Sequence, residues 1–266
     1  MKRRDWQSSL VGFVVGSPLL VLVATALFAL VVSTPIDLVV QKLREQDTWE
    51  ALCLSLRTTV LSTFIVGVLG LFLAYGVSRC RPLFATVWET VLTLPAVMPP
   101  SVIGLSLLLA FGRRGVLGPW LEAQGVTLAF TTAAVVVSQV FVSCPFFFRE
   151  ALSAFRSMRP DLMEAAKLDG ATTWMTVRKV SLPLAAPFVI AGLGLAWARA
   201  LGEFGATILF AGNLKGVTQT MPLAVYVGFE SDMDQAKALA IVLLVTAVVV
   251  MVATRIVLGR RMSFAH

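Results

Sequence analysis

The chain has 266 residues, of which 58% are hydrophobic and 14% are charged, and its mean hydropathy is +0.86. A soluble domain of this size has about 45–50% apolar and about 25% charged residues, so the composition excludes an ordinary soluble protein. Cys53, Cys80 and Cys144 lack the spacing of a disulfide framework or a zinc site, and the only histidine is His266. The sequence therefore predicts neither a metal site nor a nucleophile–base set.

The apolar residues form blocks of about twenty residues, which is the length of a helix that crosses a bilayer. The first block follows the basic segment MKRRDWQSS and is too long for a secretory signal, so we predict an uncleaved first span. Lipid offers a single segment no other way to satisfy its backbone than a helix. We expect an all-α polytopic membrane protein with about six transmembrane helices, at residues 10–32, 56–78, 85–111, 129–148, 186–210 and 238–258.

The distribution of Lys and Arg predicts the orientation of these spans. With the N-terminus inside, the inner segments hold twice as many basic residues as the outer ones, which predicts that both termini are cytoplasmic. The net charge of +7 is then a topology signal and not a nucleic-acid footprint. We divide the chain into a first helix and outer loop (1–54), a five-helix core with an inner loop at 149–184 (55–258), and a cytoplasmic tail (259–266).

Three prolines, Pro95, Pro99 and Pro100, interrupt the third predicted span. A helix that began only after Pro100 would be too short for a hydrocarbon core of about 30 Å. We therefore expect a helix that starts near Phe84 and is kinked or broken across the prolines. Broken helices are tolerated where they are buried or line a cavity, which makes the prolines candidates for a translocation pathway. The alternative is a packing kink without a pathway role.

The fifth predicted span contains two charges, Arg199 and Glu203, four residues apart on one helix face. Charges inside a bilayer are costly, and they are usually paired or functional. The spacing favours an intrahelical ion pair that stabilises packing, and the alternative is that Arg199 attracts an anion into a pathway. Gly194, Ala198 and Gly202 form a small-residue stripe that suits either a dimer interface or packing within the subunit.

The longest polar passage between spans is Glu164–Pro183, with the sequence EAAKLDGATTWMTVRKVSLP. It predicts two short helices joined at Gly170, the second capped by Thr172 or Thr173. Apolar side chains beside charges on the cytoplasmic side require a partner surface. A segment that lies on lipid is the alternative.

The same passage resembles the EAA signature of ABC importer permeases. Glu164, Ala165 and Ala166 are followed at the family spacing by Gly170, Val180 and then Leu182-Pro183. The resemblance implies a type I ABC importer permease fold, in which this segment is the helix that docks on a separate cytoplasmic ATPase. It also implies a non-catalytic subunit without cofactors of its own, because ATP and magnesium are bound by that ATPase.

A second resemblance narrows the family. The segment ARALGEFGATILFAGNLKGVTQTMPLAVY (198–226), together with LPAVMPPSVIG, is similar to permeases for molybdate and tungstate and, more distantly, sulfate. It implies a homodimer in the bacterial cytoplasmic (inner) membrane, two ATPase subunits, and an extracytoplasmic binding protein that delivers the oxyanion. Within the outer segment 211–236 we expect a short helix in MPLAVYVGF and docking of the binding protein, with a capping gate helix as the alternative. The residues assigned to docking are Arg113, Arg114, Lys215 and Gln219.

Arg113 and Arg114 belong to a glycine-rich outer loop, and the alternative for them is a solvated loop whose arginines lie at the lipid headgroups. The energy source of transport must also be outside the chain, because no Gly-Lys pair of a P-loop occurs. An ion-coupled carrier that acts alone would use titratable residues at mid-depth, and Glu203 is the only acidic candidate. We therefore expect a permease subunit driven by a partner, with a secondary carrier as the rival class.

Overall fold

The computed structural model describes residues 2–158, 168, 170 and 172–263, and its side chains from 13 to 256 apart from 159–167, 169, 171 and 173. Every element of regular structure in these ranges is helical. The helices are α1 (Lys2–Val32), α2 (Ile36–Leu43), α3 (Gln46–Ser78), α4 (Pro82–Thr93), α5 (Pro100–Phe111), α6 (Gly118–Ala123), α7 (Thr132–Arg156), α8 (Leu182–Leu201), α9 (Gly205–Phe210), α10 (Met221–Ser231) and α11 (Met233–Ser263). A short helix at Thr173–Thr176 and a π-helical turn at Val177–Ser181 lead into α8.

Five described segments are long and apolar enough to cross a membrane, and a sixth span results if the bent pair α4–α5 is counted as one. This agrees with the six spans that hydropathy predicts. The third predicted span, 85–111, changes direction by 110° at the prolines, as predicted. The fifth, 186–210, is broken after Leu201, which was not predicted. The short helix that begins at Thr173 continues through the π-helical turn into α8, without a break at Pro183.

The core of the bundle lies between α3, α7 and α8. Phe147 and Phe148 of α7 are completely buried there. Glycines on the neighbouring helices make room for the Phe147 ring: a Cβ on Gly70 would lie 2.8 Å from Phe147 Cδ1, and one on Gly192 would lie 3.2 Å from Cδ2. Small residues therefore allow the helix backbones to approach closely, which is how helices associate in membranes.

Helices α10 and α11 form a smaller core with α3, in which Met221 and Leu239 are completely buried. The apolar side chains of α1 from Phe13 to Val32 are almost entirely exposed within the protomer. The short helix predicted in MPLAVYVGF is present as α10. Gly194 of the small-residue stripe packs against Thr254 of α11, where an added Cβ would lie 2.9 Å from Thr254 Cγ2, so this member of the stripe serves packing within the subunit.

Candidate functional site

The first part of the site is the bend between α4 and α5. A 3-10 turn at Leu94–Ala96 follows α4, the chain changes direction by 110° between Ala96 and Pro100, and α5 begins at Pro100 with Pro99 just before it. Proline suits the first helical position, since its missing N–H has no acceptor there, and it cannot continue the preceding helix. The break predicted at the three prolines is thus observed. Pro95 is half-buried, while Pro99 and Pro100 are exposed within the protomer.

The second part is the break between α8 and α9. Glu203 lies in this break and is only 1% exposed. One of its carboxylate oxygens, Oε2, accepts from Arg199 Nη1 at 2.8 Å, and the other, Oε1, accepts from the backbone N–H of Ala206 at 2.8 Å. The predicted ion pair is therefore formed. The carboxylate also satisfies a free N–H at the start of α9, so Glu203 connects the end of one helix to the beginning of the next.

The two breaks are in direct contact with each other. A Cβ added to Gly205 would lie 2.5 Å from Pro100 Cβ. One added to Gly104 would lie 2.8 Å from Leu209 Cβ and 2.9 Å from the carbonyl oxygen of Ala206. The structure thus brings the proline bend and the charged break into one site, which the sequence had suggested only as two separate candidates. Gly104 and Gly205 hold this contact. Both lie in the segments that resemble molybdate permeases, but nothing in the sequence indicated that they pack together.

The polar passage Glu164–Pro183, which we call the coupling stretch after the role that its resemblance implies, is described only in part. Glu164, Ala165 and Ala166 lie outside the described residues. Gly170 has a φ of +80°, which is the left-handed conformation that glycine adopts without strain. Thr172 Oγ1 accepts from the N–H of Met175 at 3.3 Å and caps the helical turn that follows. Leu182 is half-buried and Pro183 is exposed. The turn at Gly170 and the threonine cap are therefore as predicted.

Large apolar side chains of the coupling stretch point to solvent. Leu168, Trp174 and Met175 are 88%, 61% and 43% exposed. Exposed apolar groups beside charged residues mark a surface that a partner or a membrane covers. This face is therefore unpaired within the described part of the protomer.

The four residues assigned to docking fall into three environments. Arg113 and Arg114 are exposed on the loop after α5. Lys215 forms an ion pair with Asp47 at the start of α3. Gln219 is 6% exposed, so its side chain offers almost no surface to a docking partner in this conformation. The segment around it turns inward because the N–H of Met221 donates to Ser55 Oγ at 2.7 Å.

A cluster of ion pairs joins α2 to the start of α11, and it was not predicted from the sequence. Lys42 Nζ lies 2.7 Å from Asp232 Oδ2 and 2.9 Å from Glu45 Oε1. These hydrogen bonds, first that to Asp232, raise the pKa of Lys42. The hydrogen bond from Lys42, followed by that from the backbone N–H of Gln235, lowers the pKa of Asp232. Little in the sequence indicated this cluster, because Lys42 and Asp232 are far apart in the chain.

Among the described residues, no group of three His, Cys, Asp or Glu side chains is placed to hold a metal ion. The described residues form a helical bundle with two broken helices in contact and a solvent-facing polar stretch between spans. A solved bacterial ABC transporter for import of the acidic polysaccharide alginate has the same fold, with a TM-score of 0.75 over 97% of this chain and 96% of that one at 18% identity.

The chain belongs to the family of binding-protein-dependent transport system inner membrane components, whose model matches residues 67–263. It is an ABC importer permease. It is 43% identical over 200 residues to the molybdenum transport system permease protein ModB of Mycobacterium tuberculosis, which covers 75% of this chain and 76% of that protein. It is 34% identical over 200 residues to the sulfate transport system permease protein CysT of Escherichia coli, covering 73% and 72%. These similarities confirm both resemblances predicted from the sequence.

Proposed function

We propose that this chain is the membrane-spanning subunit of an ATP-driven importer for a tetrahedral oxyanion, with molybdate or tungstate as the substrate. The observation that carries the proposal is the 43% identity to a molybdenum transport permease over three quarters of the chain. The chain works as a homodimer with two copies of a separate ATPase, which binds ATP and magnesium. An extracytoplasmic binding protein delivers the anion, and the permease lies in the bacterial cytoplasmic membrane with both termini inside.

In this proposal the coupling stretch docks on the ATPase. The exposed side chains of Leu168, Trp174 and Met175 supply the apolar contacts, and the turn at Gly170 sets the angle of the segment that carries them. Closure of the ATPase dimer then moves the two copies of the stretch. The same docking segment includes the other residues that match the signature of the family: Glu164, Ala165, Ala166, Leu182 and Pro183.

The contacting breaks form the part of the permease that moves in alternating access. Pro95, Pro99 and Pro100 allow α5 to tilt relative to α4, because a chain bent at prolines has few backbone hydrogen bonds to lose there. Arg199 and Glu203 hold α9 to α8, and the buried position of Glu203 supports a structural role for the pair. Arg199 is 29% exposed, which leaves its outer edge available to an anion that passes.

Sulfate is the second candidate substrate, since the sulfate permease CysT is also similar over most of the chain. Both anions are tetrahedral and carry two negative charges, so the permease need not distinguish them strongly. We expect the binding protein to set the preference. Calorimetry of the binding protein encoded beside this chain, with molybdate, tungstate and sulfate, measures that preference, and tightest binding of sulfate would overturn the molybdate assignment.

A liposome assay tests the energy source. The chain is reconstituted with and without its ATPase, and anion uptake is measured with the binding protein outside. We expect uptake only when ATPase and ATP are both present. Gradient-driven uptake by this chain alone would establish an ion-coupled carrier instead, with Glu203 as its titratable group.

A further inference from the structure

A cavity of about 620 Å³ lies between α4 and the last turns of α7. None of the residues that form the contacting breaks lines it. One wall carries Thr86, Glu89 and Thr90 of α4, and the other carries Arg149, Ser153 and Arg156 of α7. Spacings of three, four and seven residues place each set on one face of its helix, so two polar helix faces oppose each other across the cavity.

Some of the side chains that line this cavity already donate hydrogen bonds within the protein, and others do not. Arg156 forms an ion pair with Glu89 across the cavity. The hydroxyls of Thr86 and Thr90 donate to carbonyl oxygens of their own helix, at 2.9 and 2.8 Å. Within the described part of the chain, the guanidinium of Arg149 and the hydroxyl of Ser153 make no hydrogen bond. The unused donors therefore belong to one helix face, which also bears both positive charges.

We propose that this cavity is a binding site for a phosphate-like oxyanion group, held by Arg149, Ser153 and Arg156. Guanidinium groups bind tetrahedral oxyanions in bidentate fashion, and the two arginines outweigh the single carboxylate of Glu89. Phe148 and Leu152 also line the cavity, so its walls are mixed, and it is the pair of arginines that favours an oxyanion over a metal cation. Two kinds of ligand carry such a group: a free tetrahedral dianion and an anionic lipid with a phosphate in its headgroup.

Occupation of the site has a structural consequence. An anion that binds Arg156 competes with Glu89 for the same guanidinium, and the Glu89–Arg156 pair is the ion pair that joins α4 to α7. Binding therefore loosens α4, which leads directly into the proline bend. The site belongs to this chain alone. It needs neither the binding protein nor the ATPase, so it does not rest on the proposed function.

The test uses the full chain in nanodiscs without its partners. In nanodiscs of phosphatidylcholine, binding of molybdate, sulfate and inorganic phosphate is measured by equilibrium dialysis. In nanodiscs that also contain phosphatidylglycerol, retained lipid is measured by native mass spectrometry. The variants are Arg149→Gln, Arg156→Gln and Glu89→Gln. The matched control is Arg81→Gln, because Arg81 is an exposed arginine just before α4 that does not line the cavity.

We expect Arg149→Gln and Arg156→Gln each to weaken binding about tenfold, since a lost hydrogen bond to a charged group is worth at least that factor. Glu89→Gln should strengthen binding, because it frees Arg156, and Arg81→Gln should bind as the wild type does. Effects in the first arm identify a free anion, and effects in the second identify a lipid headgroup. No binding in either arm, or equal binding by wild type and both arginine variants, would overturn the proposal. Either result leaves the liposome test of import unaffected.

Discussion

Pro100 and Gly205 touch across the two broken helices, so closely that a single methyl group at position 205 would lie 2.5 Å from the proline ring. The proline ring cannot rotate away as a flexible side chain would. We expect Gly205→Ala to cost about 1–3 kcal/mol, the usual range for overpacking, and to lower coupled uptake. Thermal unfolding in detergent and uptake in liposomes measure the two effects.

Gly202 provides the control for this prediction. It lies three residues away in the same break, and its added Cβ would meet only the carbonyl oxygen of Ala198 at 3.7 Å, an ordinary contact. Gly202→Ala should therefore unfold at nearly the wild-type temperature. Equal destabilisation by both substitutions would show that the break is sensitive to any side chain and that the contact with Pro100 is not specific.

Removal of either partner of the Arg199–Glu203 pair should be more harmful than removal of both. Arg199→Gln leaves the buried Glu203 carboxylate with only the Ala206 N–H. Breaking a buried ion pair from one side costs about 3–5 kcal/mol, whereas Arg199→Gln combined with Glu203→Gln leaves no unpaired charge. Thermal stability of the four combinations gives the coupling energy. Stable single variants that have lost only anion transport would assign Arg199 to the pathway instead.

Gly170 should tolerate asparagine better than valine. Its φ of +80° is costly for a β-branched side chain, and among the described residues no atom lies within 4 Å of an added Cβ. Gly170→Val should add about 1–3 kcal/mol of backbone strain and abolish ATPase stimulation while membrane insertion survives. Gly170→Asn should retain much of the coupling, since asparagine enters this conformation more readily. Full coupling in Gly170→Val would contradict the docking role of the turn.

The Lys42–Asp232 pair should stabilise the fold only within a defined pH window. The lowered pKa of Asp232 means that its contribution is present above its ordinary value of 3.8 and is lost as the pH falls through its folded-state value. The raised pKa of Lys42 means that its contribution is present below 10.5 and is lost as the pH rises through its own folded-state value. Asp232→Asn should therefore lower the unfolding temperature at neutral pH.

The acid limb of that window is the decisive measurement. As the pH falls below about 4, the unfolding temperatures of the wild type and of Asp232→Asn should converge, because the wild-type carboxyl becomes protonated and is then neutral like the asparagine amide. The backbone N–H groups of Asp234 and Gln235 also donate to Asp232 Oδ1. If the difference in unfolding temperature persists unchanged into strong acid, the substitution acts through these two hydrogen bonds and not through the ion pair.

Hydropathy and proline positions predicted the number of spans and one of the two breaks, because both depend on local composition. The contact of Gly205 with Pro100 could not be predicted, since it joins residues that are more than one hundred positions apart. The ion pair of Arg199 with Glu203 followed from their spacing. The hydrogen bond from Ala206 to Glu203 did not, because it depends on the helix ending at Leu201.

The outer segment shows why composition misplaces some polar residues. The sequence predicted a short helix in this segment, which is present, and docking of a binding protein through residues that include Gln219, which is buried. In the structure Thr218 and Thr220 are buried as well, and Thr218 Oγ1 accepts from the N–H of Leu214 at 2.9 Å. Such internal hydrogen bonds let a polar segment fold inward, and sequence alone does not reveal them.

The shortness of α5 has an electrical consequence. At about 1.5 Å per residue its 12 residues measure about 18 Å, whereas the hydrocarbon core of a bilayer is about 30 Å thick. If water reaches both ends of α5, the membrane voltage falls across this thinner layer and the field is stronger there. A doubly charged anion that follows the face of α5 would shed its hydration shell over the shorter distance, which lowers the dielectric barrier that it must cross.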